Sequence, residues 1–240
     1  MKISKAWPVK ALVSKAWPVK APVSKAFPLR IDILTLFPEM FNGPFGASII
    51  KRAEDKKLVD IRIHNLRDWG EGERKDVDDH PYGGGVGMVL RVDIIDKALK
   101  KLRKKKSKVI LLDATGETYT QEKARALSKL NHLILIAGHY EGVDHRVHEH
   151  LVDEVISIGN YVLTGGEIPA MVLTDSVVRL LPGVLGKDDS SVDESFKNPS
   201  YKEYPQYTRP EDYKRWKVPK ILLSGNHEEI DKWREEKSRS

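Results

Sequence analysis

Three short runs in this chain, IDILTLF (residues 31–37), KVILLD (108–113) and HLILIAG (132–138), are apolar without alternation. A strand that is apolar on both faces must be covered on both, which is the signature of a parallel sheet between two layers of helix. The segments between them carry helical spacing: residues 47–57, 93–106 and 121–130 read as helices. LVDIRIHNL (58–66) and LVDEVISIG (151–159) add two further strands. The expected class is therefore α/β. No apolar run approaches the roughly 20 residues that cross a bilayer, so a soluble chain without membrane contact is expected. It has no cysteine, which excludes disulfides, thiolate zinc sites and cysteine nucleophiles. No apolar secretion signal opens the chain, and a cytoplasmic location is the default expectation.

The first thirty residues have a different texture. SKAWPVKALV, SKAWPVKAPV and SKAFPLR repeat with a period of ten from Ser4, Ser14 and Ser24. Each copy holds a helix-breaking proline and too few apolar side chains to offset the ordering of its backbone. Residues 1–28 are expected to form a flexible basic tail. They also distort the charge balance. Of 41 basic side chains, seven lie in residues 1–30 with no acidic one, which leaves 34 against 35 acidic in the rest. The formal charge of +6 thus says little about nucleic-acid binding by the body of the chain. A local cluster remains as a candidate phosphate-facing patch or a solvated helix end: Lys100, Lys101, Arg103, Lys104, Lys105, Lys106 and Lys108. After Leu181 the sequence turns rich in Pro, Gly, Ser and Asp, the mark of a linker. The expected organisation is a main domain over 29–186, a linker over 187–205 and a small helical domain over 206–240. Asn226 with Glu229 forms a capping-box pattern that opens a helix through Trp233.

Glycine-bearing loops follow three of the strands: DATGE after Leu112, GHYEGVD after Ala137 and SIGNYVLTGGEIPA after Val155. The carboxyl ends of parallel strands are where α/β proteins hold ligands. Gly138, Gly159, Gly165 and Gly166 allow backbone groups to approach a flat ligand, while Tyr140, Ile158, Tyr161 and Leu163 offer flat and apolar walls. Such a site suits a nucleoside with a sulfur-bearing chain. A further glycine run, PYGGGVGM (81–88), lacks the Gly-Lys-Ser/Thr ending of a phosphate loop and reads as a ligand-approaching loop or a flexible turn.

The motifs LFPEMF, VDDHPYGGGVGM, GHYEGVDHRV, SIGNYVLTGGEIPAMVLTDSVVRLLPGVLG, PQYTRP and ILLSGNHEEI stand in an order and spacing that resembles the bacterial tRNA (guanine-N1)-methyltransferases. The resemblance spans most of residues 31–233. It implies a SPOUT-type parallel sheet with a deep C-terminal trefoil knot, a rare exception to unthreaded chains. It also implies S-adenosylmethionine as methyl donor and no metal. The substrate it implies is tRNA, bound by the anticodon stem-loop, with the guanine just 3′ of the anticodon as target. The active site would lie at the subunit interface of a homodimer. Matched segment by segment, Leu112, Gly138, Tyr140, Glu141, Ser157, Ile158, Gly159, Tyr161, Leu163, Gly165, Gly166 and Pro169 become the donor-site residues. Asp78, Tyr82, Gly84 and Arg209 become RNA-binding residues, and Arg179 a catalytic one. The chain departs from the family twice. It lacks the family's proline near Ala114, and the family's catalytic aspartate before Ser-Phe is Glu194 here, with Asp193 one residue earlier. Alignment favours Glu194 as the base over Asp193.

The chemistry asks for these residue types. Guanine N1 carries a proton and attacks a methyl group well only when a carboxylate removes it. The charge then moves to O6, where a guanidinium such as Arg179 stabilises it. The base has to be unstacked, which favours a single-stranded loop. Bland readings stand beside these: a solvated loop acid for Glu194 and a salt bridge on an apolar helix for Arg179. Three rival functions exist. His139, His145, His148 and His150 with Glu141, Asp144 and Glu149 would suit a metal-dependent hydrolase, though no HExxH is present. The others are a ribose 2′-O methyltransferase of a related knotted family and an RNA-binding module without catalysis.

Overall fold

The computed structural model describes residues 28–185, 195–196 and 201–238. Residues 1–27 of the expected tail, much of the expected linker, and Asp193 and Glu194 lie outside the described residues. From the start of the described chain run β1 (Leu29–Thr35), α1 (Asn42–Phe45), α2 (Ser48–Asp55), β2 (Val59–Asn65), β3 (Asp78–Asp79) and β4 (Val89–Leu90). Then come α3 (Val92–Leu102), β5 (Lys108–Thr118), α4 (Gln121–Leu127), β6 (His132–Ala137), α5 (His145–His150), β7 (Glu154–Ser157) and α6 (Glu167–Val178). A hairpin of β8 (Asp212–Tyr213) and β9 (Trp216–Lys217) and the helix α7 (His227–Lys237) complete the described chain.

Five strands form one sheet in the order β2-β1-β6-β5-β7, and each neighbouring pair is parallel. The expectation of a doubly covered α/β sheet is met. One face carries Leu29, Ile31, Ile33, Leu133 and Leu135 against α2, α4 and α6. The other carries Leu34, Val109, Leu111, Ile134 and Ile136 against α3 and α5. Period-two alternation thus feeds two separate apolar cores from the same strands. Part of the second face is polar. Asp32 is fully buried there, with His64 Nε2 at 2.7 Å, His132 Nε2 at 2.5 Å and Arg30 Nε at 2.7 Å.

Element ends differ from the sequence expectation for local reasons. The helix expected over 93–106 stops at Leu102, where Arg103 turns to an extended conformation. Continuing it would stack Lys100 and Lys101 on Lys104 and Lys105, like charges one turn apart. The helix expected to reach Leu130 stops at Leu127, where Ser128 Oγ donates to the Arg125 carbonyl at 3.0 Å. The strand expected to end at Asp113 continues to Thr118. Its pairing with β7 skips from Leu112 to Glu117, so residues 113–116 loop out while the ladder resumes. The region expected to be helical after residue 206 also holds the β8–β9 hairpin. No Asn or Gly announces its turn; instead Lys214 and Arg215 take φ of 54° and 72°. Half of the capping box is present: Asn226 Oδ1 accepts from Glu229 N, while Asn226 N donates to Ser224 Oγ at 3.1 Å rather than to the Glu229 side chain, and α7 runs on to Lys237.

One connection matters for the site. β7 lies outside β5, yet the chain after it returns across the end of β5 to the loop that follows β6. There Gly166 N donates to the Gly138 carbonyl at 2.7 Å, and Gly165 bridges to His139.

Candidate active site

The three loops at the carboxyl ends of β5, β6 and β7 converge as their positions in the sequence suggest. They enclose a cleft of about 220 Å³. All twelve residues assigned to the donor line it: Leu112 from β5; Gly138, Tyr140 and Glu141 from the loop after β6; Ser157, Ile158, Gly159, Tyr161, Leu163, Gly165 and Gly166 around and after β7; and Pro169 in the first turn of α6. Asp113, Ala114, His139 and Ile156 line it too. Apolar walls face flat aromatic ones, and Glu141 adds a carboxyl group. This mixture fits a nucleoside carrying a cationic tail.

Local chemistry holds each loop. The loop-out of β5 at 113–116 is closed by Asp113, whose Oδ1 accepts from Thr115 N and Oγ1 at 2.8 and 2.7 Å. In the loop after β6, Tyr140 takes a φ of 60° and its hydroxyl accepts from Arg67 Nη2 at 3.4 Å. Glu141 N donates to Met88 O at 3.1 Å and Leu90 N to Gly142 O at 3.0 Å, so the glycine run of residues 81–88 is laced to the rim of the cleft. After β7, Ser157 Oγ donates to Gly159 O at 2.9 Å. Gly166 must be glycine on packing grounds: a Cβ there would lie 2.6 Å from Ala137 Cα and 2.7 Å from Gly138 N.

The other assigned residues do not all gather here. Asp78 sits on β3 opposite Leu90, and Tyr82 and Gly84 are exposed on the glycine run near the cleft. Arg209 lies in a separate groove, about 780 Å³, with Tyr207, Val218, Leu222 and Leu223. Arg179 caps the far end of α6, about 20 Å along the helix from Gly166 at 1.5 Å per residue, and is half-buried. Of the lysine cluster, Lys100 pairs with Asp96, Arg103 with Asp153 and Lys108 with Glu154. Lys104, Lys105 and Lys106 are exposed at the amino end of β5, opposite the cleft. Among the described residues, no three His, Asp or Glu side chains come together to hold a metal ion. His145 and His148 stack at 5.1 Å, and His148 faces Asp113 at 3.9 Å. No helix among the described residues is long and apolar enough to cross a membrane.

Two features went unread in the sequence. The hairpin shows Trp216 71% exposed beside Tyr213, with Lys214 Nζ 5.3 Å above the Tyr213 ring. Its signal was the interleaving of aromatic and basic residues in YKRWK. Beneath the cleft, Glu167 is buried and accepts from Thr35 Oγ1 at 2.8 Å. Nothing local marks Glu167, because its partner is 132 positions away.

Residues 29–240 match the family model described as tRNA (Guanine-1)-methyltransferase TrmD. The chain belongs to this family. A tRNA (guanine-N(1)-)-methyltransferase of Dictyoglomus turgidum is 58% identical over 200 residues, covering 83% of this chain and 81% of that protein. Those of Bacillus cereus strain AH820 and Bacillus anthracis strain CDC 684 are each 53% identical over 207 residues, covering 85% of this chain and 84% of theirs. The match to the TrmD family begins at the first residue of β1, so residues 1–28 stand outside it.

Proposed function

We propose that this chain methylates N1 of guanine in tRNA, at the guanine just 3′ of the anticodon, with S-adenosylmethionine as donor. Membership of the TrmD family makes it a methyltransferase with a tRNA substrate. The observation that carries the donor assignment is the convergence of three strand-end loops, with all twelve assigned residues, on one cleft. When bound there, S-adenosylmethionine supplies a sulfonium methyl group. Tyr140, Tyr161, Ile158 and Leu163 offer stacking and apolar surface to its nucleoside, and Glu141 a counter-charge. Glu194 takes the N1 proton of guanine, with Asp193 as the alternative base, and Arg179 stabilises charge at O6. Asp78, Tyr82, Gly84 and Arg209, together with the Tyr213–Trp216 hairpin, contact the anticodon stem-loop.

The return of the chain across β5 onto the Gly138 loop supports a trefoil-knotted SPOUT fold. Two observations support a homodimer. Helix α6 is largely apolar, yet Ile168 and Val172 stay 46% and 39% exposed. Arg179 is far from the cleft of its own chain, so a second copy is needed to bring it to one. The division into a tail (1–28), a methyltransferase domain (29–186), a linker (187–205) and a small C-terminal domain (206–240) completes the reading, as does a cytoplasmic site of action among tRNA.

Mass analysis of nucleosides from tRNA incubated with the protein and S-adenosylmethionine tests the function, with 1-methylguanosine as the expected product. Methyl groups on ribose instead would favour the related knotted enzymes, and no methylated nucleoside would leave an RNA-binding module. The cleft has its own test. Gly166→Ala forces a backbone contact apart at a typical overpacking cost of about 1–3 kcal/mol. Calorimetry is expected to show donor uptake weakened about tenfold or more, and an unchanged affinity would remove this loop from the site.

A further inference from the structure

The buried carboxyl group beneath the cleft has a role that methyl transfer itself does not assign. Glu167 opens α6 with 1% of its surface exposed. Its Oε1 accepts from Thr35 Oγ1, which in turn accepts from Phe37 N at 2.9 Å. Its Oε2 lies 3.6 Å from His139 Nδ1. That ring nitrogen is itself buried and has no hydrogen-bond partner. A buried polar atom left unpaired is costly, and the remaining gap is about half an ångström beyond a normal N–H···O bond. The ring has little freedom to turn elsewhere. It packs on Phe37 at 4.8 Å and edge-on to Tyr140 at 5.2 Å. Above it the backbone of Gly165 is so close that a Cβ there would sit 2.5 Å from Nδ1 and would also strike the Glu167 carboxyl group. His139 and Gly165 are bridged and both line the cleft, whereas Glu167 does not.

We propose that Glu167 is a positioning residue: it accepts a hydrogen bond from Nδ1–H of His139 and so sets the Gly138–Gly142 loop and Gly165 in the form that binds the methyl donor. The proposal rests on the reading of the cleft as the donor site. With Oε2 as the acceptor, the bond requires the Nδ1–H tautomer of the ring. The loop that this bond fixes carries Tyr140 and Glu141. Glu167 touches neither donor nor guanine, so its loss acts on donor affinity rather than on the chemical step.

Two substitutions at residue 139 separate this role from mere packing. The side-chain amide of His139→Asn places an N–H where Nδ1 stands, while that of His139→Gln places it where Nε2 stands. Calorimetry with S-adenosylmethionine is expected to show affinity reduced about tenfold in His139→Gln, the scale of one lost hydrogen bond to a charged group, with most of that loss recovered in His139→Asn. In Glu167→Gln the donor KM rises by a similar factor while kcat falls less than threefold. Nitrogen NMR of the wild-type ring shows the Nδ1–H tautomer, and Glu167→Gln shifts it toward Nε2–H. Equal affinities for the two residue-139 variants, or a wild-type ring already in the Nε2–H form, overturns the proposal. Wild-type protein that takes up no donor at all overturns the donor reading first, and this one with it.

Discussion

Glu194→Gln is expected to lower the single-turnover rate of methyl transfer to tRNA by about 10²- to 10⁴-fold, the usual contribution of a positioned general base. Donor affinity by calorimetry is expected to stay within twofold, because the base acts on the guanine proton and not on the donor. The N1 lone pair becomes available only when the ring proton leaves, and a glutamine amide of the same length cannot accept a full charge from it. Glu194 stands where the family has aspartate, so its carboxylate reaches one methylene further. Glu194→Asp then restores the family's residue, and activity comparable to the wild type would show that the linker absorbs the difference. Asp193→Asn is the control. If that variant loses transfer while Glu194→Gln keeps it, the base is Asp193 and the alignment is off by one.

Legibility in the sequence followed the range of the interaction involved. The sheet was readable because 108–113 and 132–138 are apolar on both faces, a local pattern with one structural solution. The cleft was readable because glycines and tyrosines cluster just after strand ends, where parallel sheets hold ligands. Element ends were less so. The loop-out at 113–116 depends on β7 rejoining β5 beyond it, a pairing of residues about forty positions apart. The hairpin at 212–217 was missed because its turn residues, Lys214 and Arg215, are not the ones a tight turn favours. Glu167, the first residue of an otherwise apolar helix, reads as an ordinary acidic first-turn residue. Only the fold brings Thr35 and His139 to it.

Asp32 was invisible for the same reason, and its loss should have the largest effect on stability. Burial alone raises its pKa, but the hydrogen bonds from His132, His64 and Arg30 outweigh that and hold the carboxyl well below the usual range. Removing one member of a buried ionic cluster strands the others, at about 3–5 kcal/mol. Asp32→Ala is therefore expected to lose roughly that much in urea unfolding at pH 7, with Asp32→Asn, which keeps the volume, losing less. The pH dependence has a definite sign. A carboxyl whose folded pKa is depressed stabilises fully above the unfolded value of about 3.9 and loses that contribution as pH falls toward the folded one. Wild-type stability should thus fall more steeply than that of Asp32→Asn below about pH 5, and the two curves should converge in acid. Parallel curves would mean that the cluster is held together by packing and that the charge on Asp32 contributes nothing.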